Sequence, residues 1–134
     1  MTDDVGTWII AGLELAGALG IAAFWATWLR ATHDEEWLPE GYVQHERAFL
    51  PADGVLAILL ATSAILLVSN QPLGWVLSLV SAGMLAFLGL LDAAYFWQTG
   101  LFASHRGGVA NAAVVFGVLA LAAVLVAAFL SRGG

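Results

Sequence analysis

Cysteine and lysine are both missing from these 134 residues, and charge of either sign is scarce, with ten acids and four arginines making up 10% of the chain. Without cysteine there is no disulfide framework, no thiol redox chemistry and no cysteine-ligated metal. Membrane redox proteins that work through a CxxC pair are excluded with them. Four dispersed arginines make no basic patch, so nucleic acid is not an expected partner. The sequence also lacks HExxH, GxSxG, a Walker loop and a dinucleotide fingerprint. No catalytic set is assigned on sequence grounds, and no cofactor is expected.

What the chain does have is apolar residues, 61% of the total, with a mean hydropathy of +0.90. A water-soluble domain carries about 25% charged residues and about 45–50% apolar ones. So few charges cannot cover a globule of this size, and the apolar surface must face something other than water. The same numbers exclude disorder, because disordered chains are poor in apolar residues. Asp3 and Asp4 precede the first apolar run, where a cleavable leader would carry basic residues, so this segment reads as retained.

A helix that crosses the hydrocarbon core, about 30 Å thick, needs roughly 20 mostly apolar residues. Four stretches qualify, at about 7–29, 53–69, 73–102 and 109–130. Each must be helical, because lipid offers no partner for a free backbone N–H or C=O. Asn70-Gln71-Pro72 is a tight turn that makes the second and third helices antiparallel neighbours. Ser104 to Gly108 is a second short link. The long connection, 30–52, holds most of the charge together with His33, His45, Trp37, Tyr42 and Phe49. Within it, 42–50 reads as a short interfacial helix, and Pro51 and Asp53 as the start of the second span, with Asp53 a candidate N-cap. The expected fold is therefore all-α, an integral membrane bundle of four antiparallel helices with an interfacial segment in the first loop.

Four spans put both termini on one side, called side A here, and loops 30–52 and 103–108 on the other, side B. Arg30, Arg47 and Arg106 fall on side B against Arg132 on side A. The excess of basic residues makes side B cytoplasmic and the termini extracytoplasmic. Trp8 and Trp75 near side A, and Trp28, Trp37 and Trp97 near side B, are placed as an interfacial aromatic belt.

Glu14 is the most informative residue. It lies about 10 Å into the first helix, where an unpaired carboxylate costs several kcal/mol. It reads as a protonated acid bonded to another helix, as a proton- or cation-coupling site, or as a group nearer the interface. Depth matching places Thr62, Ser63, Ser78 and Ser81 around it. Gly12, Ala16 and Gly20 form a small-residue ridge elsewhere on the same helix, suited to close packing within the chain or between chains. On the third helix Ser78, Ser81, Gly89, Asp92, Tyr95 and Thr99 form a polar stripe. Asp92, about 28 Å along from Leu73, either pairs with Arg106 or Arg30, accepts from Asn111, or serves a ligand.

Asp92, Tyr95, Gln98, His105, Arg106 and Asn111, with Asp53, make side B a polar mouth with aromatic walls, the composition of a small-molecule site. By residue type His33, Asp34, His45, Asp92 and His105 are acceptable zinc or manganese ligands. No pair has ligand spacing, so His33, His45 and His105 are only weak metal candidates.

Leu13-Glu14-Leu15-Ala16-Gly17 resembles the acidic first-helix segment of the small multidrug resistance transporters. In that family the Glu takes up protons and cationic substrate in turn, within a dimer. The likeness covers one helix. The 30–52 loop is far longer than that family's, and the tryptophan-containing segment of the third helix sits at the opposite end. Three functions stay open. The first is a small-molecule or ion-handling membrane protein, with its mouth on side B and Glu14 as a buried protonatable group. The second is an accessory subunit of a larger membrane complex or a homo-oligomer. The third is a membrane-embedded enzyme acting on a lipid or sterol-like substrate.

Overall fold

The computed structural model describes residues 4–133, and Asp3 lies outside them. The chain forms four long helices, α1 (Asp4–Arg30), α2 (Tyr42–Val68), α3 (Leu73–Thr99) and α4 (Gly108–Gly133), with a 3-10 turn at Ser104–Arg106. All four are long and apolar enough to cross a membrane. At about 1.5 Å per residue each measures about 40 Å, longer than the hydrocarbon core, so their ends reach the headgroup level. The protein is an all-α, multi-pass membrane bundle.

The helices pack in chain order, α1 on α2, α2 on α3 and α3 on α4, whereas α1 and α4 barely touch. The core joins Ile10, Ala18, Leu56, Leu60, Leu67, Ala82, Leu85 and Leu125 along the bundle axis. Lipid tails are as apolar as leucine, so close packing rather than expulsion from water holds such helices together. Gly89 illustrates it, since a Cβ there would stand 2.8 Å from a Leu119 methyl carbon across the α3–α4 contact.

The α2–α3 connection is the tight turn expected. Asn70 adopts φ 58°, and the Gln71 N–H donates to the Leu66 carbonyl at 2.9 Å. The third helix is shorter than the 73–102 of the sequence reading. Gly100, at φ 74°, ends it, and the Leu101 N–H donates back to the Phe96 carbonyl at 2.8 Å. This left-handed glycine is a common helix stop. It turns Leu101 inward against Phe96 and Val115.

The second helix is longer than expected. It begins at Tyr42, not at 53, and runs unbroken through Pro51. The 42–50 stretch is helical, as the sequence suggests, but it forms the first turns of α2 rather than a separate surface helix. Proline frees the carbonyl four residues earlier, that of Arg47. Arg47 and Pro51 are both exposed, so the freed group faces outward at the bundle end. Asp53 is consequently no cap. The N-cap is Gly41, at φ 81°, with no side-chain cap bond.

The aromatic belt also needs correction. Trp8 and Trp97 are 62% and 80% exposed, as a belt requires, but Trp28 is 7% exposed. Its ring stacks on His33 at 4.1 Å, and its Nε1–H donates to the Tyr42 hydroxyl at 3.3 Å. Trp37 is half-buried and packs with Leu38 and Tyr42 over Phe96 and Leu101, so that the first loop closes the side B end of the bundle.

Candidate ligand site

The helices hold two polar clusters, one in each half of the bundle. In the side A half Glu14 is 0% exposed, as are Ser63 and Ser78. The Ser78 hydroxyl donates to Glu14 Oε2 at 2.5 Å. Ser63 Oγ lies 3.0 Å from each Glu14 oxygen, 2.9 Å from the Gly74 carbonyl oxygen and 2.7 Å from Ser78 Oγ. Two hydroxyl protons cannot serve all these contacts, and a carboxylic-acid form of Glu14 would bring a third. Of the four hydroxyl residues matched to Glu14 by depth, the structure brings Ser63 and Ser78 to it. Ser81 is buried without a hydrogen bond, and Thr62 faces outward. The cluster ties α1, α2 and α3 together.

The side B half contains a cavity of about 330 Å³ between all four helices. Its walls are apolar, formed by Ile21, Leu56, Leu60, Leu85, Leu88 and Leu121. Polar groups gather toward side B: Asp53 and Glu46 from α2, Asp92 from α3 and Asn111 from α4, with Trp25 and Tyr42 alongside. Towards side A the cavity narrows at Gly17, where a Cβ would stand 3.0 Å from Leu121 and 3.5 Å from Leu60. Glu14 lies beyond that constriction and does not line the cavity. α1 and α4 make few contacts with each other. The cavity-lining residues Gly20, Phe24, Val114 and Gly117 are exposed on the outer surface, so the space opens sideways between these two helices.

Local sequence explains the arrangement. Tyr42, Glu46, Phe49, Asp53, Leu56 and Leu60 recur at helical spacing and put one face of α2 on the cavity. On α3, Leu85, Gly89, Asp92 and Phe96 do the same. Asp53 is held by Trp25, whose Nε1–H donates to Oδ2 at 2.8 Å across the α1–α2 contact. Glu46, only 6% exposed, makes no hydrogen bond through Oε2. Its nearest opposite group is His45 Nε2 at 3.9 Å.

Asp92 forms no ion pair among the described residues, with Arg106, Arg30 or any other cation. Arg106 instead donates to the Thr99 carbonyl at 3.3 Å, and the Asn111 amide donates to the Leu101 carbonyl at 2.7 Å. Two of the partners expected for Asp92, Arg106 and Asn111, are thus used elsewhere. Tyr95 lies outside the cavity wall, its ring stacked on His45 with centroids 3.5 Å apart and planes 9° from parallel. Gln98 and His105 are exposed and do not line the cavity. His33 bonds the Trp28 carbonyl at 2.9 Å, away from the acids.

Of the mouth residues named from sequence, Asp53, Asp92 and Asn111 meet at the cavity. Glu46, Tyr42 and Trp25 were missed. For the first two a signal existed, namely the helical spacing from Tyr42 to Leu60. Reading Pro51 as a break cut that face in half. No protein-family model, curated protein or solved structure matches the chain. Fold and site therefore define the class of the molecule, a small polytopic membrane protein with a laterally open, acid-ended cavity.

Proposed function

We propose that this protein binds a lipophilic small molecule bearing a hydroxyl or amino end, which enters from the bilayer between α1 and α4. The observation that supports this reading is the cavity itself. Its apolar walls suit a hydrocarbon body, its acidic end suits a hydrogen-bond donor, and its side opening faces the phase in which such molecules dissolve. Three acids gather there with no arginine paired to them among the described residues, an arrangement that favours a donor or cationic partner. Glu14 belongs to the packing of the bundle in this reading, not to the ligand path.

Binding of decanol or decylamine to the purified protein, followed as a rise in melting temperature, tests it. The parent gains stability with either probe, and Asp53→Asn reduces the gain. Equal gains in parent and Asp53→Asn would remove the acids from the site, and no gain in the parent would remove the cavity reading.

A second reading, a subunit of a larger membrane assembly, is favoured by the Gly12, Ala16 and Gly20 ridge. All three face outward, and nothing lies within 4 Å of a Cβ built at Gly12 or Gly20. The ridge is thus not used within the chain, which leaves the other use the sequence allows, packing between chains. Mass measurement in gentle detergent distinguishes a lone chain from an assembly. Side B is assigned to the cytoplasm on its three arginines. The absence of native cysteine permits a direct check, in which a cysteine at Glu36 is shielded from an impermeant maleimide in whole cells and one at Ser131 reacts.

A further inference from the structure

Glu46 poses a problem that the cavity reading does not solve. A carboxylate nine-tenths buried, with Oε2 lacking any hydrogen bond, is costly unless something positive meets it. The groups around it are suited to that purpose. One ligand-type atom each from His45, Glu46 and Asp92 lie within 4.8 Å of one another. We propose that these three side chains hold a divalent transition-metal ion, of the zinc or manganese kind, at the side B end of the cavity.

Donor chemistry selects the ion class. One imidazole nitrogen with two carboxylates suits zinc or manganese better than a soft, thiol-seeking metal. Ligand atoms about 2.0–2.2 Å from one ion stand at most about 4.4 Å apart. The present spread therefore closes by small rotations of flexible Glu and Asp side chains. Three protein ligands leave a coordination position for water or for a group on a bound molecule, as open metal sites do.

The surroundings are pre-arranged. His45 Nε2 is buried without a hydrogen bond, and the parallel stack on Tyr95 holds the ring plane. Glu46 and Asp92 both border the cavity. The His45 side chain is 28% exposed, so the site lies near the surface of the bundle and not deep in its core. An ion there would balance charge that no other cation among the described residues reaches. His45 and Glu46 are adjacent in sequence and Asp92 comes from another helix, so no motif spacing announces the set.

The site shares Glu46 and Asp92 with the proposed ligand cavity but does not depend on an apolar ligand. The test is zinc titration of the full-length, chelator-treated protein in detergent, read by a competing zinc indicator and by calorimetry. The expected result is one ion per chain. His45→Ala and Asp92→Asn should each weaken binding more than about tenfold, the loss typical even of an outer-shell partner. His105→Ala and Glu14→Gln should bind as the parent does. Circular dichroism confirms that each variant is folded, and His45→Gln replaces any that is not. The cobalt(II) spectrum provides a second readout, since its visible bands should shift with His45→Gln. No zinc binding by the parent, or binding unaffected by His45→Ala and Asp92→Asn, overturns the proposal. Decanol binding by the metal-free protein is measured separately, so that failure of the ion site and failure of the cavity reading are told apart.

Discussion

The two halves of the bundle bury the same chemistry and use it differently. Around Glu14 every carboxyl oxygen has a hydroxyl neighbour, the group is fully enclosed, and three helices are joined by it. Around Glu46 and Asp92 the acids border an apolar cavity, and among the described residues a carboxylate oxygen and an imidazole nitrogen have no hydrogen-bond partner. Buried polar groups satisfied by their own protein act as structure, whereas those left unsatisfied beside a cavity indicate a ligand. Depth in the membrane does not separate the two cases; what fills the space beside the acid does.

The largest expected effect concerns the closed half. Glu14→Ala removes a carboxyl that meets two hydroxyls and leaves a void, and should destabilise the fold by about 3 kcal/mol. Glu14→Gln keeps the shape and a donor, and should cost about 1 kcal/mol or less, near the mean for single intramembrane hydrogen bonds. Unfolding in mixed detergent measures both, and decanol binding should be unchanged in Glu14→Gln. Equal, large losses would mean that the acid's proton, rather than its bonding shape, matters.

Next comes the opening between α1 and α4. Nothing lies within 4 Å of a Cβ placed on Gly117, so Gly117→Phe should fold normally and obstruct the entrance. Decanol affinity should fall more than about tenfold, equivalent to about 1.4 kcal/mol. Retained affinity would move the entrance elsewhere. Smaller still is the bond that holds Asp53. Trp25→Phe removes its indole donor and should cost about 1 kcal/mol in the same unfolding assay, with a weaker preference for decylamine over decane. Smallest is the Arg132 guanidinium, 4.4 Å from the Trp75 ring centroid at side A. Arg132→Gln should change stability by about 0.5 kcal/mol, as exposed cation–π pairs do, and leave ligand binding alone.

The four spans, the tight turn at Asn70 and the company of Glu14 were legible in the sequence. Hydrocarbon thickness fixes helix length, and equal depth on neighbouring helices brings Ser63 and Ser78 to Glu14. The ligand end was half legible. Asp92, Asn111 and Asp53 stand out as polar residues in apolar company. Glu46 looked like one more charge in a polar loop because Pro51 read as a helix start. A proline whose freed carbonyl faces outward does not stop a helix, and local propensity alone cannot reveal which way that carbonyl points. The burial of Trp28 was hidden for a similar reason, since a tryptophan at a helix end suits lipid headgroups and a covering loop equally well.

The contrast between the halves is tested most directly by the unfolding free energy of the metal-free double variant Glu46→Gln, Asp92→Asn set beside that of the parent. Neutralising two acids whose charge no arginine among the described residues balances should leave stability unchanged or raise it by about 1–2 kcal/mol. A loss on the scale of Glu14→Ala would contradict the account, because it would make the side B acids part of the framework and not a place prepared for something else.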